Sequence, residues 1–499
     1  MAEPFEPLRA LPRRRLTDIF AADPGRVERL SLELDGVRFD WSKTHLDEDA
    51  LRVLTGMADA RDLAGARSRL FAGEVVNPTE ERAALHPAER GSGSEQAIAN
   101  AEALRARTRA LVDAIEADAL GPIRHVLHVG IGGSALGPAL LLDALGRGSD
   151  RYDVKVVSNV DGAALAEATR DMDPQATLLC VASKTFTTSE TMLNARSALA
   201  WMEEGGVEDA YGQVVAMTAN PDAAVAWGVD ETRVLPFAPE VGGRYSLWSS
   251  IGFPAALALG WEAWEALLAG AEAMDVHFQT APWDRNAPVL AAFADLLYAQ
   301  GRRAGTRAVF AYDERLRLLP SYLQQLEMES NGKSVAADGS PLGTPTAPIT
   351  WGGTGTDAQH AVLQLLHQGT HLVPVEFVAV AEPGHNLDEE HHRQLLINCF
   401  AQGAALMAGR TSADGARAYP GDRPSVTILA DKLDARTLGA LLAFYEHRTY
   451  ANAALLGINP FDQFGVELGK EIAKSLDGEG RSSFDPSTEA LIARAFSQD

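Results

Sequence analysis

Within the run QQLEMESNGK, Gln324 to Lys333, one carboxylate stands where acid–base chemistry could be done. Glu329 follows the apolar-patterned segment LRLLPSYLQQLEM and precedes Ser330-Asn331-Gly332, which reads as a turn. The pattern therefore predicts a helix with Glu329 near its C-terminal end and a chain reversal directly after it. A carboxylate there opens toward a cleft, where it can take up and return a proton. An ordinary solvated helix-end glutamate is the plain alternative, and other segments bear on the choice.

Two further segments have the chemistry of anion sites. In HVLHVGIGGSALGPALLLDAL, His125 to Leu145, a short apolar run meets Gly130, Gly132, Gly133 and Ser134 before a helical pattern begins, which reads as strand, tight loop and helix. Glycines let backbone N–H groups approach a ligand, and the first helical turn favours negative charge, so a phosphate fits. Gly130, Gly132 and Ala135 also match a dinucleotide-loop spacing, but no acidic residue ends the following strand VKVVSNV, where Asn159 stands and Asp161 comes late. In TLLCVASKTFTTSETMLNARSALAWM, Ser183, Thr185, Thr187 and Thr188 surround one cation, Lys184. Hydroxyls, a lysine and free helix N–H groups form a phosphate cradle, although serine and threonine also gather at helix starts for local reasons. Thr187 and Glu190 have capping-box spacing and predict the helix start there. Gly332-Lys333-Ser334 does not complete a nucleotide-type lysine loop, since Glu327 occupies the position of the required glycine.

The elements that must position these groups follow from periodicity. Residues 1–99 read as a mostly helical N-terminal segment, helical to about Arg90 and then joined through GSGSEQ. From 100 to 265 the strands VLHVGI, VKVVSNV, TLLCVAS and QVVAMTAN alternate with helical stretches, which argues for right-handed βαβ units and a parallel sheet. A second α/β unit, 266–432, has RAVFAYD, VPVEFVAVAE and SVTILADK as strands, with AFADLLYAQ and HRQLLINCFAQGAALMAG as helices. Residues 433–499 read as mostly helical. Ligands of such sheets sit at the carboxyl ends of strands, where both anion loops fall.

Composition excludes several classes. The 499 residues suffice for two or three cores, and 46% hydrophobic with 22% charged residues argues against extensive disorder. With 68 acidic and 44 basic residues the formal charge is −24, which opposes nucleic acid and anionic membranes and makes Lys184, Arg244 and Lys470 local exceptions. Cys180 and Cys399 lie in apolar runs and read as buried thiols of a reducing compartment. MAEPFEPLRALPRRRL lacks a following apolar run, and LWSSIGFPAALALGWEAW is interrupted before it could span a bilayer, so a soluble, cytoplasmic protein is expected.

Taken in order, GIGGS (130–134), SKTFTTSET (183–191), GGRYS (242–246), QQLEMESNGK (324–333), AQHAVLQLLHQGT (358–370) and FDQFGVELGK (461–470) resemble the blocks of the glucose-6-phosphate isomerase (phosphoglucose isomerase) family. NPTEERAALHPAER, Asn77 to Arg90, is similar to that family's N-terminal block. The resemblance implies two sugar-isomerase-type doubly wound parallel-sheet domains, α-β-α sandwiches, with helical N- and C-terminal segments. It implies a reversible isomerisation of glucose 6-phosphate and fructose 6-phosphate through ring opening and a cis-enediol(ate), in glycolysis and gluconeogenesis, with no cofactor and no metal.

Roles come with it. Gly133, Ser134, Ser183, Lys184, Thr185 and Thr188 match the family's phosphate site, and Glu329 matches the base that moves a proton between C2 and C1. Arg244 matches the arginine that steadies the enediolate, with Gly243 letting backbone approach the sugar; alone, an arginine after two glycines reads as well as a surface turn. His360 and Lys470 match the ring-opening pair, and Gln325 and Gln463 match pocket-lining glutamines. The family's histidine reaches the site from a neighbouring subunit, which implies a homodimer; on its own, His360 is undistinguished among 12 histidines. A metal-dependent isomerase would need clustered ligands, for which HNLDEEHH, His385 to His392, is the alternative. A non-catalytic sugar-phosphate-binding module would need the cradle but not Glu329, Arg244, His360 and Lys470 together.

Overall fold

The computed structural model describes residues 5–149, 151–477 and 484–496. They form two compact units, Met1–Pro460 and Phe461–Asp499. In the first unit a hairpin comes before either α/β region: β1 (Ser31–Leu34) and β2 (Val37–Asp40) reverse at Asp35-Gly36, both at positive φ (53° and 76°). Asp-Gly suits a two-residue hairpin turn because both positions tolerate that conformation. The sequence reading of this stretch as helical missed it.

The first sheet contains β3 (His125–Gly130), β4 (Asp153–Val157), β5 (Thr177–Ala182), β6 (Val214–Thr218) and β7 (Val234–Pro236), all parallel, in the order β4-β3-β5-β6-β7. Every residue of β5 is buried, as a strand covered on both faces requires. Leu127, Val129, Leu179 and Val181 pack on one side with Met192, Ala195 and Leu199 of the helix Ser189–Glu204. Val126, Leu178 and Cys180 pack on the other with Leu111, Val112 and Ile115 of the helix Glu95–Glu116. Strand order reverses between β3 and β5, which opens a crevice over their carboxyl ends. Gly130 and Ala182, paired in register, are the last residues of those strands.

The second sheet repeats the winding with β8 (Thr306–Tyr312), β9 (Ile349–Thr354), β10 (Val375–Val380) and β11 (Ser425–Ala430), in the order β9-β8-β10-β11, all parallel. β2 then pairs antiparallel with β11, so the N-terminal hairpin extends this sheet. β9 was not expected, because ITWGGT carries two glycines. A Cβ at Gly352 would meet the Val309 carbonyl oxygen at 1.8 Å, so the residue that hides the strand in the sequence permits its pairing. Phe310, Phe377 and Ala379 pack with Leu363, Leu366 and Cys399 on one face of this sheet, and Phe39 of β2 meets Phe444 of the helix Ala435–Leu456. The fold is the expected one of two parallel-sheet α/β layers with accompanying helices.

Cys180 and Cys399 are free and buried, and burial pushes the Cys399 thiol up to about 12. No described helix is long and apolar enough to cross a membrane. The second unit holds the helices Glu467–Asp477 and Pro486–Ala495 after a short turn at Phe464–Val466.

Candidate active site

The loop after β3 is fixed from both sides. Gly132 has φ 56° and ψ −125°, a conformation that favours glycine, and leads into the helix Gly133–Leu145 with Ser134 in its first turn. Inside the sheet, His128 is fully buried and donates from Nε2 to the Ser134 carbonyl at 2.6 Å. Burial pushes that imidazole down to about 4, so it is neutral and keeps the proton it donates at one nitrogen. A Cβ at Gly133 would meet the Gly243 carbonyl oxygen at 2.0 Å and the Arg244 nitrogen at 2.5 Å, and one at Gly132 would meet Gln325 Nε2 at 2.9 Å. Glycines here bring the backbones of GIGGS and GGRYS into contact and seat the Gln325 side chain of QQLEMESNGK against the same loop.

The loop after β5 is equally constrained. Phe186 is buried at φ 57°, a conformation that costs a non-glycine residue about 1–3 kcal/mol. Its N–H reaches Ser183 Oγ at 3.1 Å, and the Lys184 carbonyl accepts from Ala219 N at 3.0 Å and Thr218 Oγ1 at 3.1 Å. Ser183 Oγ and Thr188 Oγ1 are 3.0 Å apart, and Thr187 Oγ1 donates to Thr185 Oγ1 at 2.8 Å. The helix begins one residue later than the capping-box spacing predicts, at Ser189 with Thr188 as its N-cap, and the Thr188 side chain makes no cap bond. The hydroxyls bond to one another instead. Burial, with Arg82 and Arg244 close by, holds Lys184 below the ordinary lysine range, opposed by Glu80 and Glu240. A partly desolvated ammonium among other cations is stabilised by an arriving anion.

Arg244 is not on a surface turn. It lies in the 3₁₀ segment Gly243–Trp248 and is 3% exposed. Its Nη1 donates to Glu329 Oε1 at 3.1 Å, its Nε to Ser330 Oγ at 2.6 Å, and its Nη2 to the Pro460 carbonyl. Gln325 Nε2 donates to the other Glu329 oxygen at 2.8 Å. Glu329 ends a π-helical stretch, Gln324–Glu329, that continues the short helix Leu319–Leu323. Such wider turns are frequent at functional sites. Glu327, two residues earlier, points the other way, into the core, where Arg307 and Thr350 bind its carboxylate. Helical geometry puts residues two apart on opposite sides, so this segment has one carboxylate to anchor it and another to face the crevice. Ser330 and Asn331 are not the expected turn; they are the last helical residues, both buried, with Asn331 Nδ2 on the Thr449 carbonyl at 2.9 Å.

His360 is exposed on the short helix Asp357–Ala361 after β9, and Gln463 and Lys470 belong to the second unit. Nothing crowds a Cβ at Gly243, so its contribution is the carbonyl packed against Gly133 and bonded by Ser246 Oγ at 2.7 Å. HNLDEEHH borders a separate cavity of about 1060 Å³ together with Arg147 and Arg315. Among the described residues no group of three His, Cys, Asp or Glu side chains is placed to hold a metal ion. Sequence reasoning passed over His128, Ser330 and Tyr245, whose signals were only a histidine inside an apolar strand and hydroxyls beside the chosen Glu329 and Arg244.

A sequence profile described as phosphoglucose isomerase matches residues 40–492. The chain is 68% identical over 489 residues to the glucose-6-phosphate isomerase of Rhizorhabdus wittichii, covering 98% of each. It is 59% identical to that of Zymomonas mobilis, covering 97% of this chain and 96% of the relative. The crystal structure of a glucose-6-phosphate isomerase from Chlamydia trachomatis superposes with a TM-score of 0.90 at 32% identity, covering 99% of this chain and 98% of that one. By that profile match and these relatives, the chain belongs to the phosphoglucose isomerase family.

Proposed function

We propose that this protein is an aldose–ketose isomerase that interconverts glucose 6-phosphate and fructose 6-phosphate. The relatives' shared name supports the reaction, and the pairing of buried Arg244 with the partly exposed Glu329 carries it into this chain's own geometry. In the aldose-to-ketose direction Glu329 takes the C2 proton of the open chain, the C1 carbonyl oxygen gains the negative charge of the enediolate, and Arg244 holds that charge. Glu329 then returns the proton to C1 while the O2 proton passes to O1, which completes the C2 ketone and the C1 hydroxyl. An arginine stays charged at any working pH, and one fixed before the reaction needs no reorganisation during it.

The sugar's phosphate sits on Ser134, Ser183, Lys184, Thr185 and Thr188 at the first-sheet switch point, with Gly133 shaping the floor. Lys184, lowered by burial and by neighbouring cations, supports that placement. Gln325, bonded to Glu329, and Gln463 line the sugar pocket, and Gly243 admits backbone to it. Ring opening falls to Lys470 and to His360 of the partner subunit in a homodimer, a reading supported by the exposure of His360 in the single chain. We place the enzyme in the cytoplasm, in glycolysis and gluconeogenesis.

The test is conversion of fructose 6-phosphate to glucose 6-phosphate by purified protein in EDTA, coupled to a glucose-6-phosphate dehydrogenase. Turnover is expected without added metal. Binding without turnover points to the non-catalytic module, unless divalent ions restore activity, which identifies a metal-dependent isomerase.

A further inference from the structure

Each of the three guanidinium nitrogens of Arg244 has a partner, Tyr245 also bonds the group, and the Nε bond to Ser330 is the one nearest the side-chain stem. Ser330 Oγ accepts it at 2.6 Å and lies 2.9 Å from the Tyr245 hydroxyl; Ser330 is 0% and Tyr245 1% exposed. Behind Tyr245 the buried ring of His86 stacks at 4.6 Å with the planes 28° apart, so the phenol cannot swing away. Burial pushes Tyr245 up to about 12, which leaves its hydroxyl neutral at working pH and adds no second anion to compete with Glu329 for the arginine. The order is thus His86, Tyr245, Ser330, Arg244, running from the NPTEERAALHPAER block through GGRYS to MESNGK.

We infer that Ser330, itself held by Tyr245, is a positioning residue for the isomerisation, aiming the Arg244 guanidinium at the oxygen that becomes negative in the enediolate. The inference rests on the function proposed above. Without the Nε bond the guanidinium can still tilt against its Nη1 and Nη2 partners as the torsions of its side-chain stem adjust. The third bond removes that freedom before substrate arrives, and pre-set geometry of this kind acts on the chemical step more than on ground-state binding.

The experiment measures kcat and KM for fructose 6-phosphate in Ser330→Ala and Tyr245→Phe, each made in the wild-type and in the Arg244→Lys background. Lysine has no Nε–H for Ser330 to receive. Ser330→Ala is expected to lower kcat about tenfold with KM within about twofold, as loss of a bond that matters in the transition state does. Tyr245→Phe, which keeps the ring against His86, should lower kcat about threefold. In the Arg244→Lys background each change should cost less than about twofold, because its target is gone. An unchanged kcat in Ser330→Ala overturns the inference, and so does an equal loss in both backgrounds, which general loosening of the core would produce. If Ser330→Ala fails to fold, the Tyr245→Phe pair decides by the same comparison. Wild-type protein without turnover removes the proposed function and this inference together, whereas an active wild type with an indifferent Ser330→Ala removes this inference alone.

Discussion

Arg244 Nη1 and Glu329 Oε1 are 3.1 Å apart, yet the arginine side chain is 1% exposed and the glutamate side chain 24%. The cation is part of the core and the carboxylate is at its edge, so the crevice meets the group that must move a proton while the group that must only hold charge stays fixed. Glu329→Gln keeps the shape and removes the base. We expect kcat to fall by about 10²–10⁴-fold, the usual weight of one acid–base group, with sugar-phosphate binding by calorimetry changed by less than about tenfold. Comparable losses in both would assign Glu329 a structural role.

Gly133 tests whether the loops are as closely fitted as the geometry requires. Its Cβ position is 2.0 Å from the Gly243 carbonyl oxygen and 2.5 Å from the Arg244 nitrogen, both backbone atoms that cannot rotate aside. Gly133→Ala must therefore separate GIGGS from GGRYS. A displacement near 1 Å at reacting groups costs on the order of 10²-fold, and that loss of kcat is the expected result, with far-ultraviolet circular dichroism unchanged. Full activity would mean that the two loops are free to move apart without consequence.

Much of this was legible beforehand because local chemistry and fold coincide. GIGGS and SKTFTT each follow an apolar run and open a helix, and both fall at strand ends in the first sheet. Glu329 stood out because it ends an apolar-patterned run just before a turn signal. What stayed hidden depends on contacts between distant segments. Glu327 and Glu329 look alike in sequence, and only Arg307 and Thr350, 20 and 23 residues away from Glu327, separate anchor from base. The π-helical register and the helical state of Ser330-Asn331 are likewise set by buried partners, against a local turn signal. β9 was missed because it carries two glycines, of which Gly352 makes room for the Val309 carbonyl, and the N-terminal hairpin because four-residue strands carry almost no periodicity.

His360 offers a test of where the active site is completed. If it serves the partner's site, Glu329→Gln and His360→Ala are each nearly inactive as homodimers. A hybrid dimer of the two has one site with both an intact Glu329 and an intact His360. Coexpression of differently tagged variants, followed by tandem purification of the hybrid, should recover about half of wild-type kcat per dimer, as expected for one intact site of two. A hybrid as inactive as its parents would place His360 in its own chain's site.

Glu89 gives the protein a stability that depends on pH in a calculable direction. It lies in the 3₁₀ turn Ala88–Arg90, is 5% exposed, and burial pushes its carboxyl up to about 8, with Arg105 opposing. Between the unfolded value of 4.5 and about 8 the native state holds a proton that the unfolded chain has released. Its contribution to stability is therefore whole below pH 4.5 and falls as pH rises, until above about 8 a charged carboxylate is buried. Glu89→Gln cannot ionise and escapes that loss. Glu376 and Glu446, both raised by burial to about 7, titrate in the same window but do so equally in both proteins, so the difference between them isolates Glu89. Urea midpoints measured from pH 5 to pH 9 should show Glu89→Gln gaining steadily on the wild type; a constant gap would show that the Glu89 carboxylate is ionised at ordinary pH.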